Sequence, residues 1–338
     1  MIETYAFAGF ESWGRVVDER LQAQGFVRAE RLADADAVIT YCVTQTELED
    51  VYFDTDGVVQ VAKPGAVVID LSASTPSFAR EIGAVATVND LHFAEAPLAV
   101  CDMFADDALA DAGNLVGFVS GDDTAVRLAL PVVRALAATV HETGVAGSAQ
   151  LAKAAWTLRA TSCLAAAVEA QALFHVAQHA GLAFDAGLSA PGSDAFADAW
   201  RAIVEERFEG TYTVEILLAE LSAALMAADD YELILPHAES CAHMLELMAL
   251  IGGADKSPAA LSLAYGDEAA CAAHGLDWTR AEQAYSDGFD DDEYDDDLYD
   301  CDFDCDDCDD DCCNEDTCSS GRSHRHGHGG LYSGFSMN

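Results

Sequence analysis

The sequence predicts an α/β chain: a mostly parallel sheet over residues 1–146, an all-α domain over 147–284 and a disordered tail over 285–338. Three observations carry this. Short apolar runs alternate with helical patterns and Gly or Pro turns as far as Gly147, the order of a parallel sheet with crossover helices. From Ser148 to Ala180 there is neither Pro nor Gly, Ala is abundant, and no convincing strand follows. From Asp287 onward, acidic residues and cysteines crowd a stretch with little apolar content.

Composition narrows the classes. A chain of 338 residues suits two domains, and 51% hydrophobic residues supply sizeable cores. No apolar run approaches the ~18 residues of a membrane helix, and Met1-Ile2-Glu3-Thr4 lacks the basic start of a signal peptide. The expectation is a cytoplasmic protein. Of the net charge of −44, the 18 acidic residues after Ala284 set against Arg322 and Arg325 account for −16, leaving −28 on the folded body. Such a field repels nucleic acid and anionic membrane surfaces, so neither is expected as a partner. Cys42, Cys101, Cys163, Cys241 and Cys271 stand singly in apolar surroundings and read as free thiols in a reducing compartment.

In order, Tyr5 to Ala8 is a short strand running into Gly9, and a helix through Val16, Val17 and Leu21 ends at Gly25. Gly9-Phe10-Glu11-Ser12-Trp13-Gly14 has the outline of a dinucleotide-binding βα turn, so the sheet is Rossmann-like. Its middle glycine is replaced by Glu11, whose bulk and charge oppose a pyrophosphate; a plain strand-to-helix turn is the competing reading. Only ten residues separate Gly25 from Asp36, too few for the ~30 of a full βαβ unit, so the adenosine half is shortened. Glu30 stands near the position of a ribose-binding acid. Ala37–Cys42 is a strand, Thr46–Val61 helical or mixed, and Ala66–Leu71 a buried strand. Pro76 opens a helix, His92–Pro97 and Val116–Ser120 are strands, and a helix bent at Pro131, or two helices, leads to Gly144.

Beyond Gly147, helical patterns cover 148–180, 194–207, 213–228, 236–251, 258–265 and 268–284. Ser148 is the expected N-cap of the first and Gly181 its stop; at ~1.5 Å per residue it would extend about 50 Å. Lys153, one of only three lysines, lies in its second turn. It reads either as a solvated side chain or as a functional one. His175 and His179, four residues apart, read as helix C-terminal histidines rather than a metal pair.

Several stretches together resemble the β-hydroxyacid dehydrogenase family, the 6-phosphogluconate dehydrogenase-like NAD(P) enzymes: Asp70-Leu71-Ser72-Ala73-Ser74-Thr75-Pro76 with Arg80, Glu95-Ala96-Pro97-Leu98, Gly147-Ser148-Ala149-Gln150-Leu151-Ala152-Lys153, and Gly252-Gly253-Ala254-Asp255-Lys256-Ser257. The likeness spans about residues 4–265, and the lysine helix is its most specific part. It implies NADP or NAD at Gly9–Gly14, Glu30, Tyr41, Cys42, Val43 and Ser72, and a small hydroxy or carbonyl substrate beside Ala96, Pro97, Leu98, Ala99 and Trp156. It makes Lys153 the general acid/base, a role suited to a desolvated lysine, with Thr157 one helical turn away.

Departures from the family pattern weaken this. Ala99-Val100-Cys101 replaces the Ser-Gly-Gly that holds a substrate carboxylate, Trp156 and Thr157 replace paired Asn residues, and Ala219 and Glu220 stand where a Lys-Asp pair belongs. With Glu11 and the shortened adenosine half, cofactor binding is expected to be weak or lost, and without the anion clamp a usual 3-hydroxy acid is a poor candidate substrate. Two functions compete: a diverged NAD(P)-dependent oxidoreductase, and a non-catalytic binding or scaffold relative. A homo-oligomer built on the long Ala-rich helix is expected.

The tail carries Cys301, Cys305, Cys308, Cys312, Cys313 and Cys318, then His324, His326 and His328. Thiolate and imidazole donors at such spacing suit zinc or another thiophilic divalent metal, although no standard finger spacing fits; a solubilising extension is the plainer reading.

Overall fold

Thr4–Gly9 forms β1 and Glu11–Ala23 forms α1. β2 is only Val27–Arg28, and a single 3₁₀ turn at Leu32–Asp34 separates it from β3, Ala37–Tyr41. The usual crossover helix of this half is absent, as the ten-residue spacing requires. The computed structural model describes residues 2–179, 195–266 and 268–287, all within one compact unit that ends at Gly288.

After β3 come α2 (Gln45–Phe53), the single turn α3 (Val58–Val61), β4 (Val67–Asp70) and α4 (Pro76–Val88). The start of α2 is fixed by a capping box between Thr44 and Glu47, and that of α4 by Thr75 accepting from Phe78 N, with Pro76 in the first turn. β5 (His92–Glu95), β6 (Leu98–Val100), β7 (Leu115–Gly121), α5 (Asp123–Leu136) and β8 (Thr139–Gly144) complete the sheet. Pro131 sits inside α5, which continues through it as one helix.

The eight strands run β2-β1-β3-β4-β5-β7, with β6 also beside β7 and β8 pairing with β7. The β1–β2, β1–β3, β3–β4, β4–β5 and β7–β8 pairs are parallel, whereas β5–β7 and β6–β7 are antiparallel. Successive residues of β3 and β4 enter different cores: Ala37, Ile39, Val67 and Ile69 join Trp13 and Leu21, while Val38 and Val68 join Leu48 and Tyr52. A sheet covered on both faces explains why these strands read as unbroken apolar runs. The register also aligns one row across five strands at the carboxyl edge: Ala8, Thr40, Asp70, Glu95 and Ser120.

From Ser148 the chain is helical. α6 spans Ser148–His179, followed by α7 (Ala195–Val204), α8 (Val214–Asp229) and α9 (Pro236–Met248), and α6 packs against all three. A π turn at Ala249–Gly253 replaces the expected last turn of α9, with Gly252 at φ 106°. Residues 258–265 are a 3₁₀ helix. The helix expected over 268–284 is two, α10 (Glu268–Ala273) and α11 (Thr279–Asp287), divided by Gly275 at φ 79°. No helix of the described residues is long and apolar enough to cross a membrane.

Candidate active site

The carboxyl edge of the sheet gathers the predicted residues. Gly9 has φ 119°, and a Cβ there would meet the Tyr41 carbonyl oxygen at 2.1 Å; one on Gly14 would meet the Phe7 ring at 2.8 Å. The two retained glycines are thus sterically required. Phe10 N donates to Tyr41 O at 2.8 Å, and the Trp13 and Tyr41 rings lie 5.4 Å apart. No side chain caps α1, so its first amides are open to an anion. Glu11 and Ser12 are exposed in that first turn. The Glu11 carboxylate suits the helix dipole but stands where a pyrophosphate would. The backbone cradle therefore fits a dinucleotide, and Glu11 is the one residue opposing it.

Glu30 lines a cleft of about 510 Å³ with Ala6, Ala8, Arg28 and Arg31. Both arginines are already engaged, Arg28 with Asp18 and Arg31 with Asp34. The short β2–β3 connection leaves this side of the sheet open.

The loops after β3 and β4 are tied together. Ser72 Oγ accepts from Cys42 N at 2.9 Å, and Asp70 Oδ1 accepts from Thr40 Oγ1 and Ser72 N, both at 3.0 Å. Asp70 is fully buried, its Oδ2 has no hydrogen-bond partner, and burial pushes its pKa up to about 6 against these hydrogen bonds. Gln150 extends from α6 to the same loop: Nε2 donates to Ser72 O at 3.0 Å and Oε1 accepts from Ser74 N at 2.9 Å.

The start of α6 is held otherwise than expected. Ser148 is its first residue, and its hydroxyl donates to Val145 O at 2.6 Å and Thr143 Oγ1 at 3.0 Å. The free amides go instead to the buried Glu95, which accepts from Gly147 N and from Gln150 N, and to Ser120 Oγ, which accepts from Ala149 N. A carboxylate there is favoured by the dipole, although burial raises the Glu95 pKa.

Lys153 is buried, 2% exposed, with its Nζ 2.5 Å from Glu220 Oε2 on α8. The same oxygen accepts from Tyr212 OH at 2.6 Å and Thr157 Oγ1 at 3.4 Å. Burial and then the Glu220 charge hold Tyr212 well above the ordinary phenol range, so it remains a donor. Gln150, Lys153, Thr157 and Thr161 form one buried polar stripe along α6. Trp156, off that stripe, donates Nε1 to Val100 O at 3.1 Å and carries the Arg159 guanidinium 4.7 Å over its ring.

The structure therefore joins Gly9–Gly14 to Tyr41, Cys42 to Ser72, and Lys153 to Thr157 through Glu220. Val43, beside them, is half-buried. Ala96, Leu98 and Ala99 are buried, and Ala99 packs against Val116, Phe118, Ala149 and Trp156. β6 runs through Ala99 and Val100, which stand in place of the family's Ser-Gly-Gly, and the Pro97 carbonyl accepts from Phe118 N. Glu220, Tyr212, Gln150 and Glu95 also belong to the site, beyond the residues the sequence motifs point to. Glu220 had a signal, a single carboxylate within Leu217-Leu218-Ala219-Glu220-Leu221, since buried charges are found paired. No cluster of three metal-ligating side chains occurs among the described residues. Cys301–His328, and the side chains of His175 and His179, lie outside them.

Residues 11–147 match the family model of the NAD binding domain of 6-phosphogluconate dehydrogenase. The uncharacterized oxidoreductase YkwC of Bacillus subtilis is 27% identical over 201 residues, 58% of this chain and 67% of its own. The L-threonate dehydrogenase of Escherichia coli is 26% identical over 259 residues, 71% of this chain and 82% of its own. Among solved structures, a 3-hydroxyisobutyrate dehydrogenase from Salmonella typhimurium superposes with a TM-score of 0.61 at 22% identity, over 78% of this chain and 99% of that one, a likeness of fold. Residues 11–147 are thus an NAD binding domain of the 6-phosphogluconate dehydrogenase kind, and the chain is similar to NAD(P)-dependent oxidoreductases of the hydroxyacid dehydrogenase type.

Proposed function

We propose that the chain transfers hydride between NAD(P) and a small hydroxy or carbonyl compound, with Lys153 as general acid/base. The observation that carries this is the burial of Lys153 at the turn of α6 that follows the Gln150 bridge to Ser72, held in one direction by Glu220. The nicotinamide, when bound, supplies or accepts the hydride. Gly9, Phe10, Ser12, Trp13, Gly14, Tyr41, Cys42, Val43 and Ser72 would hold the dinucleotide, with Glu30 toward its ribose. In reduction, the Lys153 ammonium gives a proton to the carbonyl oxygen as the carbon gains hydride; in oxidation, the amine takes it back from the hydroxyl. Thr157 shares the Glu220 oxygen with Lys153 and fixes that carboxylate from the α6 side. Ala96, Pro97, Leu98, Ala99 and Trp156 would wall the substrate.

Lys153→Ala is expected to lower turnover by roughly 10²–10⁴-fold, the range of a lost acid/base group, with little change in cofactor affinity. An unchanged rate would remove Lys153 from the chemistry. Glu11 favours a second reading, a scaffold that no longer holds the dinucleotide.

Two further features complete the reading. The Ala-rich α6 with Leu151 half-exposed supports a homo-oligomer built on this helix. The six cysteines and three histidines of the tail support uptake of zinc or a similar metal.

A further inference from the structure

Among the described residues Lys153 is the one buried cation, and three carboxylates are buried with it: Asp70, Glu95 and Glu220. Its charge is taken up by Glu220 at 2.5 Å, in a pocket where Tyr212 and Thr157 add donors to the same oxygen. Two further cations lie along this part of α6, neither of them buried. Arg80 lies against Gly147 at the helix start, where it faces the Glu95 charge. Arg159 is exposed and stacked on Trp156, about 120° round the helix from Lys153 at ~100° per residue.

The segment before Cys101 supplies no substitute. Leu98, Ala99 and Val100 are paired with Gly117, Val116 and Leu115 in an antiparallel ladder, and Cys101 N donates to Asn114 O at 2.9 Å. A carboxylate brought to Lys153 would meet an ion pair that is already neutral and would stand as a second anion beside Glu220. A buried charge without a partner is strongly disfavoured.

We infer that Glu220 sets the charge class of the substrate: the site takes an uncharged hydroxy or carbonyl compound and rejects one that carries a carboxylate. This rests on the proposed role of Lys153 and narrows it. Lys153 is left to serve the reacting oxygen alone, and Glu220 keeps it from serving as an anion clamp. The reaction class is unchanged: an alcohol loses hydride to NAD(P)⁺ and a proton to the Lys153 amine, which becomes the ammonium that Glu220 pairs with, and the alcohol becomes a ketone or aldehyde.

The test uses one carbon skeleton in two charge states, 3-hydroxyisobutyrate and its methyl ester, on the full chain and on Glu220→Gln. Calorimetric binding is measured beside NAD⁺- and NADP⁺-dependent turnover. The ester is expected to exceed the acid at least tenfold in kcat/KM for the native chain, mainly through KM. Glu220→Gln is expected to raise acid affinity relative to ester affinity at least tenfold, because it leaves the ammonium unpaired. A native chain that binds the acid as tightly as the ester overturns the inference without any variant. So does a Glu220→Gln protein that gains no acid binding. If neither compound is turned over but the variant gains acid binding, the charge assignment stands and the dehydrogenase reading falls.

Discussion

At the residue scale, the buried carboxyl of Asp70 gives the sharpest consequence outside the chemistry. Its folded pKa of about 6 lies above the ordinary 3.8 because burial outweighs its hydrogen bonds to Ser72 and Thr40. The folded state thus holds its proton to higher pH than the unfolded state does. Its contribution to stability is fully present below pH ~4 and is lost as pH rises through 6, a change of about 3 kcal/mol for a two-unit shift. Asp70→Asn keeps the acceptor for Ser72 N and removes the titration, so its stability relative to the native chain should improve between pH 4 and 7. Urea midpoints for both proteins across that range measure the difference; parallel curves would show that Asp70 is not titrating there. Residues of this kind were only partly legible. Lys153 stood out because the chain has three lysines, but its partner Glu220 lies 67 positions away and becomes visible only when α8 packs on α6. The sequence points to Ser148 as a local cap, whereas Glu95 on β5 takes the amides of Gly147 and Gln150, a long-range partner that no local pattern encodes.

At the element scale, legibility followed length and burial. The two-sided core strands β3, β4 and β7 and the uninterrupted α6 were plain from apolar runs and the absence of Pro and Gly. β2 has two residues and β6 three, too short for any periodicity to register. β8 pairs only with β7 and is mostly exposed, so Thr139-Val-His-Glu-Thr-Gly144 lacks an apolar stripe. Pro131 points to a bend or break, yet α5 runs through it as one helix. Two elements, α6 and the tail, carry expectations beyond the site, tested together on the full chain and on a chain ending at Ala284. Light scattering should give a multiple of the 35.8 kDa full-chain mass, with the shorter chain associating likewise. Zinc titration should show uptake by the full chain alone, rising with pH as thiols deprotonate. A monomer at micromolar concentration would refute the α6 interface, and equal zinc stoichiometry would refute the tail site.

At the scale of the whole molecule, a recognisable dehydrogenase frame has been altered at its ligand-facing points. One crossover is missing beside β2, a carboxylate stands at the cofactor turn, and the lone buried lysine is neutralised by Glu220. The body charge of −28 adds a general repulsion toward the phosphates of a dinucleotide, screened within about 10 Å at 0.1 M salt. The frame still presents Gly9, Gly14 and the uncapped start of α1. The account therefore stands or falls on cofactor binding at that turn, and calorimetric titration of the full chain and of Glu11→Gly with NADH and NADPH tests it most directly. Weak binding by the native chain, tightened about tenfold (~1.4 kcal/mol) by Glu11→Gly, is the predicted result. Absence of binding to both proteins at millimolar cofactor would contradict it.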